Sequence, residues 1–290
     1  MSDAQPVLKL TLPKGRIQEK VGKLLEKIGL SFSVHARSYR PTCSDKQVEV
    51  KLLKPQNIPS LIALGRHDCG FTGGDWVLEQ SADVVEWLDL GFDPVRIVAA
   101  VPDALAASGE WKTRRIVVAS EYKNLSLKYI QDQGLNADFV QTYGATEALP
   151  PEDADLIIDN TATGTTLVQN RLTIVGEVMR STTRFIVNPK ALDDPWKRQK
   201  LEEMKMLMQS AMQADQKVLL EMNVPKECFE QVVNMLPAMR SPTVSPLYKE
   251  EGYAVKVAVP SKDVSVLIPK LVSVGARDIL EYKLEKIVSQ

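Results

Sequence analysis

Residues 155–167 read DLIIDNTATGTTL. Leu156, Ile157 and Ile158 form an apolar run too short for a helix and bounded by turn formers, which predicts a buried strand. Asp159 is expected to close it. Thr161, Ala162, Thr163, Gly164, Thr165 and Thr166 then form a small-residue loop before Leu167. A buried strand running into a glycine-containing loop and a helix start is the repeating unit of an α/β fold.

The same alternation extends outward in both directions. Leu8, Leu10 and Leu12 alternate as in a strand, and Ile17, Val21, Leu24 and Ile28 then follow at helical spacing up to Gly29. VEVKLL (48–53) predicts a strand and NIPSLIALG (57–65) a helix. DCGFTGGDWVLEQ (68–80) passes from a short strand through glycines into a helix. PVRIVAAVP and RRIVVAS predict further strands, with NLSLKYIQDQG a helix after them. Strands alternating with helices predict largely parallel sheets.

From about Asp193 the texture changes. DDPWKRQKLEEMKMLMQSAMQADQ has no interior glycine and predicts one long connecting helix, with Met204, Met208 and Met212 packed along one face. The segment after it gives strand (KVLLEMNVP), helix (KECFEQVVNML), two strands (PTVSPL and YAVKVAVP), helix (KDVSVLIPKLVSVG) and strand (ARDILEYKL). That order is βαββαβ, the ferredoxin-like split unit.

Composition bounds the function. The 290 residues are 44% hydrophobic and 25% charged, as in a globular protein. A net charge of −1 excludes a broad nucleic-acid footprint. The three cysteines, Cys43, Cys69 and Cys228, have no metal-ligand spacing and suit a reducing compartment. MSDAQPVLKL shows no cationic start followed by an apolar stretch, and no apolar run reaches membrane-spanning length. A cytoplasmic protein with no membrane partner is expected. His35 and His67 stand alone in the sequence, and no protein metal site is expected.

The opening stretch also carries chemistry. An anion-binding loop needs convergent backbone N–H groups and little side-chain bulk, and residues 163–166 meet that demand with hydroxyls in addition. No Lys follows the glycine, so it is not a Walker loop, and in GRHDCGFT Phe71 stands where that Lys would be. A carboxylate such as Asp159 sits poorly against phosphate but accepts hydrogen bonds from sugar hydroxyls. Together these parts suit a ribose 5-phosphate. The commonest phosphoribosyl transferases carry two adjacent acidic residues here, whereas Asp159 is followed by Asn160. Elsewhere, Lys14 and Arg16 flank Gly15 at a strand-to-helix turn, where cations and N–H groups can gather phosphate oxygens.

LPKGR, DCGFTGGD, GATEALP, DLIIDNTATGTTLVQNRL and RSPTVSPL occur in that order in one chain. The set resembles the long form of the ATP phosphoribosyltransferase family, which opens histidine biosynthesis, over about Val7 to Val288. Here Asn160 and Thr161 replace apolar residues common in the family, and Arg171 replaces a usual glycine. The resemblance implies condensation of ATP with phosphoribosyl diphosphate (PRPP), adenine N1 displacing pyrophosphate at the ribose anomeric carbon. It implies that Thr161 to Thr166 hold the 5-phosphate and that Asp159 and Glu147 hold ribose hydroxyls. Lys14, Gly15 and Arg16 would meet pyrophosphate or triphosphate, Arg40 nucleotide phosphates, and Thr72 and Gly73 the ATP side. Asp75, by its place at a helix start, is instead expected to cap that helix. Mg²⁺ would arrive with the substrates' phosphates.

The implied fold is α/β, with two catalytic lobes resembling type II periplasmic binding proteins. Lobe I would take 1–97, completed by 187–210, and lobe II would take 98–186. An ACT-like βαββαβ regulatory domain would take 214–290, binding histidine as inhibitor through Asn223, Thr243 and Asp278. Dimers or hexamers of the chain are implied. A two-lobed solute-binding or sensory protein without turnover, and a transferase acting on a free base, are the alternative readings.

Overall fold

The computed structural model describes residues 6–33, 38–237 and 241–288; His35 lies outside them. It divides into two compact units, residues 1–23 with 30–200, and residues 24–29 with 201–290.

The first unit contains two five-stranded sheets. One is built from β1 (Leu8–Pro13), β4 (Val48–Leu53), β5 (Cys69–Gly73), β6 (Val85–Asp89) and β12 (Thr183–Val187), in the order β4-β1-β5-β12-β6. A small β2–β3 ribbon (Phe32–Ser33 and Thr42–Cys43) stands beside them in the chain. Helices α1 (Arg16–Lys27), α2 (Ile58–Ala63) and α3 (Gly74–Glu79) connect the strands. Leu8, Leu10 and Leu12 are buried, as their alternation predicts, and Thr11 between the last two is buried as well. The central strand β1 is therefore covered on both faces over that stretch.

The second sheet comprises β7 (Val95–Pro102), β8 (Ile116–Ser120), β9 (Ala137–Gln141), β10 (Leu156–Thr161) and β11 (Leu172–Ser181), in the order β11-β7-β10-β8-β9. Helices α4 (Asp103–Ser108), α5 (Lys123–Asp132) and α6 (Thr165–Gln169) belong to it. Its two faces have separate cores. Ile97, Ala99, Val101 and Ile158 pack with Trp111 and Tyr122, while Val98, Ala100 and Ile157 pack with Leu167 and Leu172. Burial on both faces is why these strands read as unbroken apolar runs.

Both sheets are mixed. β1 pairs in parallel with β4 and β5, but β12 runs antiparallel to β5 and β6. β10 is parallel to β8 and antiparallel to β7, and β11 is antiparallel to β7. The expectation of largely parallel sheets is corrected by β7 and β12, each antiparallel to both of its neighbours; β11 and β12 bring the chain back from the second sheet to the first. The outward crossing lies between β6 and β7 and the return at Thr182. The two crossings are bonded to each other: the Thr183 N–H donates to the Phe92 carbonyl at 2.9 Å and the Leu90 N–H to the Thr183 carbonyl at 3.0 Å.

Helix α3 belongs by sequence to the first sheet but docks on the second. The Glu79 carboxylate accepts the backbone N–H groups of Asn124 (2.9 Å) and Leu125 (3.0 Å). It thereby satisfies two of the donors that the first turn of α5 leaves without helical partners. Trp76 stacks on Tyr122 with ring centroids 4.5 Å apart.

Helix α7 (Pro195–Asp215) begins in the first unit and continues into the second. Met204 and Met208 are buried, and Met206, off that stripe, is 46% exposed. The second unit continues as β13 (Lys217–Pro225), α8 (Phe229–Met235), β14 (Thr243–Pro246), β15 (Gly252–Pro260), α9 (Val264–Ser273) and β16 (Arg277–Lys283). The sheet is antiparallel in the order β14-β15-β13-β16, which is the ferredoxin-like arrangement. Val218, Leu220, Met222 and Val224 face the helices, against Val232, Leu267 and Leu271. Lys217, Leu219, Glu221 and Asn223 alternate onto the other face. Among the described residues, no helix is long and apolar enough to cross a membrane.

Candidate active site

Strand β10 does not end at Asp159. It continues through Asn160 to Thr161, because the ladder to β7 persists as far as the Thr161–Arg96 pair. Asp159 thus sits on regular strand backbone, and the turn follows it. The turn is folded by its own hydroxyls. Thr161 Oγ1 accepts the Gly164 N–H at 2.9 Å, and Thr163 Oγ1 and Thr165 Oγ1 lie 2.8 Å apart. Gly164 has φ +83°, a left-handed conformation that turns the chain into α6.

A hollow of about 390 Å³ opens over this turn. Asp159, Thr161, Ala162, Thr163, Thr165 and Thr166 line it, with Glu147 and Glu121 contributing two further carboxylates and Arg16 a cation. Glu147 is carried by a single turn, Thr146–Ala148, whose Thr146 is buried and lies 2.9 Å from the Thr142 hydroxyl. A second hollow of about 280 Å³ is lined by Lys14, Arg16, Gly73, Asp75, Trp76, Tyr122 and Asn160, among others. Arg16 and Asn160 line both, so the two hollows abut.

Burial holds the Asp159 carboxyl up at about 6. The Asn160 N–H, donating to Asp159 Oδ1 at 2.7 Å, pulls it down, and the negative charges of Glu147 and Glu121 push it further up. At neutral pH it is mostly ionised, with its titration close by.

Beside Asp159 lies a chain of polar side chains. Asp75 is 4% exposed and does not cap α3. Its carboxylate accepts the Ser181 hydroxyl at 2.6 Å and the Tyr122 hydroxyl at 2.8 Å. Asn160 Nδ2 in turn lies 3.3 Å from Tyr122 Oη and 3.3 Å from Asp159 Oδ1. Burial, followed by the Asp75 charge, drives the Tyr122 hydroxyl far above the ordinary phenol range, so it stays protonated.

The other residues singled out from sequence divide clearly. Lys14 and Arg16 reach the cleft from the β1–α1 turn, where Gly15 has φ +90°. Lys14 Nζ rests 3.5 Å from the centroid of the Tyr39 ring. Arg16 is largely exposed, 3.8 Å from Asp93. Gly73 lines the smaller hollow, but Thr72 does not. Thr72 is completely buried and its hydroxyl donates to the Pro55 carbonyl at 2.9 Å. Arg40 lines neither hollow; it borders a separate one of about 310 Å³ with Lys9, Lys51, Arg66 and His67. In the second unit, Asn223 Nδ2 donates to Asp278 Oδ2 at 2.9 Å. Thr243 is exposed on β14, with β15 between it and the Asn223 strand, a separation of about 9–10 Å by strand spacing.

Sequence reasoning missed Glu121, Tyr122 and Ser181, and read Asp75 as a cap. The only local signal was an acidic residue directly before a tyrosine at the end of an apolar strand. Among the described residues, no group of three His, Cys, Asp or Glu side chains is arranged to hold a metal ion.

Comparison with known proteins adds to this geometry. The family model described as ATP phosphoribosyltransferase matches residues 54–210, and that of its C-terminal domain matches residues 214–286. An ATP phosphoribosyltransferase of Thermodesulfovibrio yellowstonii is 42% identical over 287 residues, covering 97% of this chain and 98% of the relative. One from Chlorobium luteolum is 40% identical over 293 residues, covering 99% of this chain and all of the relative. Among solved structures, the ATP phosphoribosyl transferase (HisG:HisZ) complex from Thermotoga maritima matches with TM-score 0.60 at 27% identity, over 70% of this chain and 99% of the matched one.

Proposed function

The chain belongs to the ATP phosphoribosyltransferase family, and we infer that its cleft joins the phosphoribosyl group of PRPP to N1 of ATP with release of pyrophosphate, the first step of histidine biosynthesis. The observation that carries this reading is the convergence of the β10 turn, Glu147 and the β1–α1 turn on one cleft.

Breaking the bond between the anomeric carbon and pyrophosphate leaves positive charge on the ribose. Displacement by adenine N1 needs no strong base, since N1 is unprotonated at neutral pH. The protein's work is to position two substrates and to stabilise charge at both ends of the bond being exchanged. Asp159 and Glu147 hold the ribose hydroxyls and place negative charge near the developing cation. The threonine turn takes the 5-phosphate. Lys14 and Arg16, on the β1–α1 turn, take the departing pyrophosphate, and Mg²⁺ enters already bound to substrate phosphates. Gly73 borders the ATP side, and its lack of a side chain makes room for the Asp75 carboxylate. Neither Thr72 nor Arg40 is assigned a substrate contact. A cytoplasmic setting and assembly into dimers or hexamers accompany this reading. The test is pyrophosphate release with ATP and PRPP: a binding protein without turnover gives none, and a transferase for free bases gives none without its base.

Lys14→Ala and Arg16→Ala should each lower kcat/KM about 5- to 30-fold, less than a buried charge pair would, because Arg16 is well solvated. Neither should unfold the chain, since both sit in a turn. Circular dichroism melts beside steady-state rates check this; two fully active variants would move the pyrophosphate contact elsewhere.

The second unit supports feedback by histidine. The Asn223–Asp278 pair offers an acceptor for an α-amino group, and Thr243 adds a hydroxyl on the neighbouring part of the sheet. The active-site residues all lie in the first unit, so histidine bound to the second must act by favouring a less active state for which it has higher affinity. Thr243→Val removes one hydroxyl at nearly constant volume. It should raise the half-inhibiting histidine concentration about 5- to 10-fold and leave uninhibited turnover intact. An unchanged inhibition curve would remove Thr243 from the site.

A further inference from the structure

The polar chain beside Asp159 has a direction, fixed by what each group can donate. Asp75 is an acceptor at both oxygens and is buried, so both must be satisfied. The Ser181 hydroxyl serves one oxygen and the Tyr122 hydroxyl the other. With its proton committed to Asp75, Tyr122 Oη has only lone pairs to offer Asn160. Asn160 must then present its amide NH₂ rather than its carbonyl to the tyrosine. The same NH₂ stands 3.3 Å from Asp159 Oδ1, where it is a donor to the carboxylate. Were the amide turned the other way, its oxygen would face two acceptors at once.

We propose that Tyr122 is a positioning residue for the transfer, locking the Asn160 amide so that it donates to Asp159 and keeps it a carboxylate. Asp75 and Ser181 supply the anchor. Asp75 comes from the helix after the first sheet and Tyr122 and Asn160 from the second, so the lock also registers one lobe against the other at the reacting ribose. The inference rests on Asp159 being the ribose-facing carboxylate.

The groups facing Asp159 are the Asn160 backbone N–H, which at 2.7 Å favours its ionisation, the Glu147 and Glu121 carboxylates, which oppose it, and the Arg16 cation on the same hollow. Removing the Asn160 side-chain donor leaves the backbone N–H and the opposing charges in place, so Asp159 keeps one donor fewer and holds its proton to higher pH.

The test is the acid limb of the kcat profile between pH 5 and about 8.5. Tyr122→Phe should move that limb upward by about half a unit to one unit. Turnover then falls about 2- to 5-fold at pH 6 and recovers near pH 8, which a merely structural loss would not do. Asn160→Ala should move the limb as far, and the double variant no further, because Tyr122 acts only through the Asn160 amide that both changes take from Asp159. Asp75→Asn still accepts the tyrosine proton and should leave the limb in place, whereas Asp75→Leu should shift it. A limb that stays put in folded Tyr122→Phe overturns the proposal, whatever happens to the rate. If Tyr122→Phe does not fold, carboxyl ¹³C NMR of Asp159 in the surface variant Asn160→Ala decides: an upward shift in its titration supports the lock and an unchanged one overturns it. Asp159→Ala separates the premise from the inference, since full activity in that variant would instead unseat Asp159 itself.

Discussion

Asp159→Ala should lower kcat/KM by about 10- to 150-fold, the equivalent of roughly 1.5–3 kcal/mol for a charged hydrogen-bonding group lost near a developing cation. The loss should fall mainly on kcat, because the contact strengthens as the ribose becomes positive. Steady-state kinetics in both substrates check this, and normal turnover by a folded variant would end the assignment. The wild-type profile should carry a matching acid limb. With the Asp159 carboxyl at about 6, activity falls as pH drops through that value, because the protonated form gives up its charge.

The same elevated value has a cost in stability. The folded state holds this proton more tightly than the unfolded chain does, from the ordinary value of 3.8 up to about 6. Between those two pH values the native state carries the extra proton, so stability declines as pH rises through the window and stays lower above it. Asp159→Asn keeps the shape and removes the charge. It should therefore raise stability at pH 7, by up to roughly 2–3 kcal/mol, while abolishing most turnover. A thermal melt that shifts upward only at neutral pH, and not at pH 4, would be the signature of a carboxylate held for function.

Several strands of the first unit were legible in the sequence because they are buried on both faces. Ile97 to Val101 and Leu156 to Ile158 are continuous apolar runs because both sides of the sheet are covered. The return strand β11 was not legible. It lies at the edge of its sheet, is mostly half-exposed, and breaks register twice, between Ile174 and Gly176 and between Glu177 and Met179. Bulges of that kind scramble the two-residue alternation on which a strand reading depends. The βαββαβ order was plain, since one face alternates along β13 and two amphipathic helices cover it.

The site shows the same division. The threonine turn could be read because its chemistry lies within a few consecutive residues. The Asp75–Tyr122 bond spans 47 residues and the Asp75–Ser181 bond 106, and no local pattern records either. Asp75 was read as a cap because an acid just inside a helix usually is one. Burial turned it to a different use, since a carboxylate shut off from water needs donors, and the second lobe provides them. Thr72 failed for the opposite reason: Gly73 after it lines the smaller hollow, but Thr72 lies on a strand buried throughout and spends its hydroxyl on the Pro55 carbonyl.

Gly164→Val should weaken PRPP binding about 5- to 150-fold while leaving the fold intact. Space is not the obstacle. A Cβ at Gly164 would meet nothing closer than Ile174 Cδ1, at 4.0 Å. The obstacle is the backbone, which at φ +83° lies where a β-branched residue pays roughly 1–3 kcal/mol. The chain can escape that strain by unwinding the turn. Doing so breaks the Gly164 N–H bond to Thr161 Oγ1 and separates Thr163 from Thr165, and these contacts shape the floor of the hollow. The strain therefore falls on the threonine turn rather than on the core of the lobe. Gly164→Ala has the same Cβ without the branch and should lose less, giving an ordered series of glycine, alanine and valine. Calorimetric titration with PRPP measures the series directly, with thermal melts confirming the fold. If the valine variant binds PRPP as tightly as the wild type, the threonine turn is not the phosphate site, however well its hydroxyls are placed.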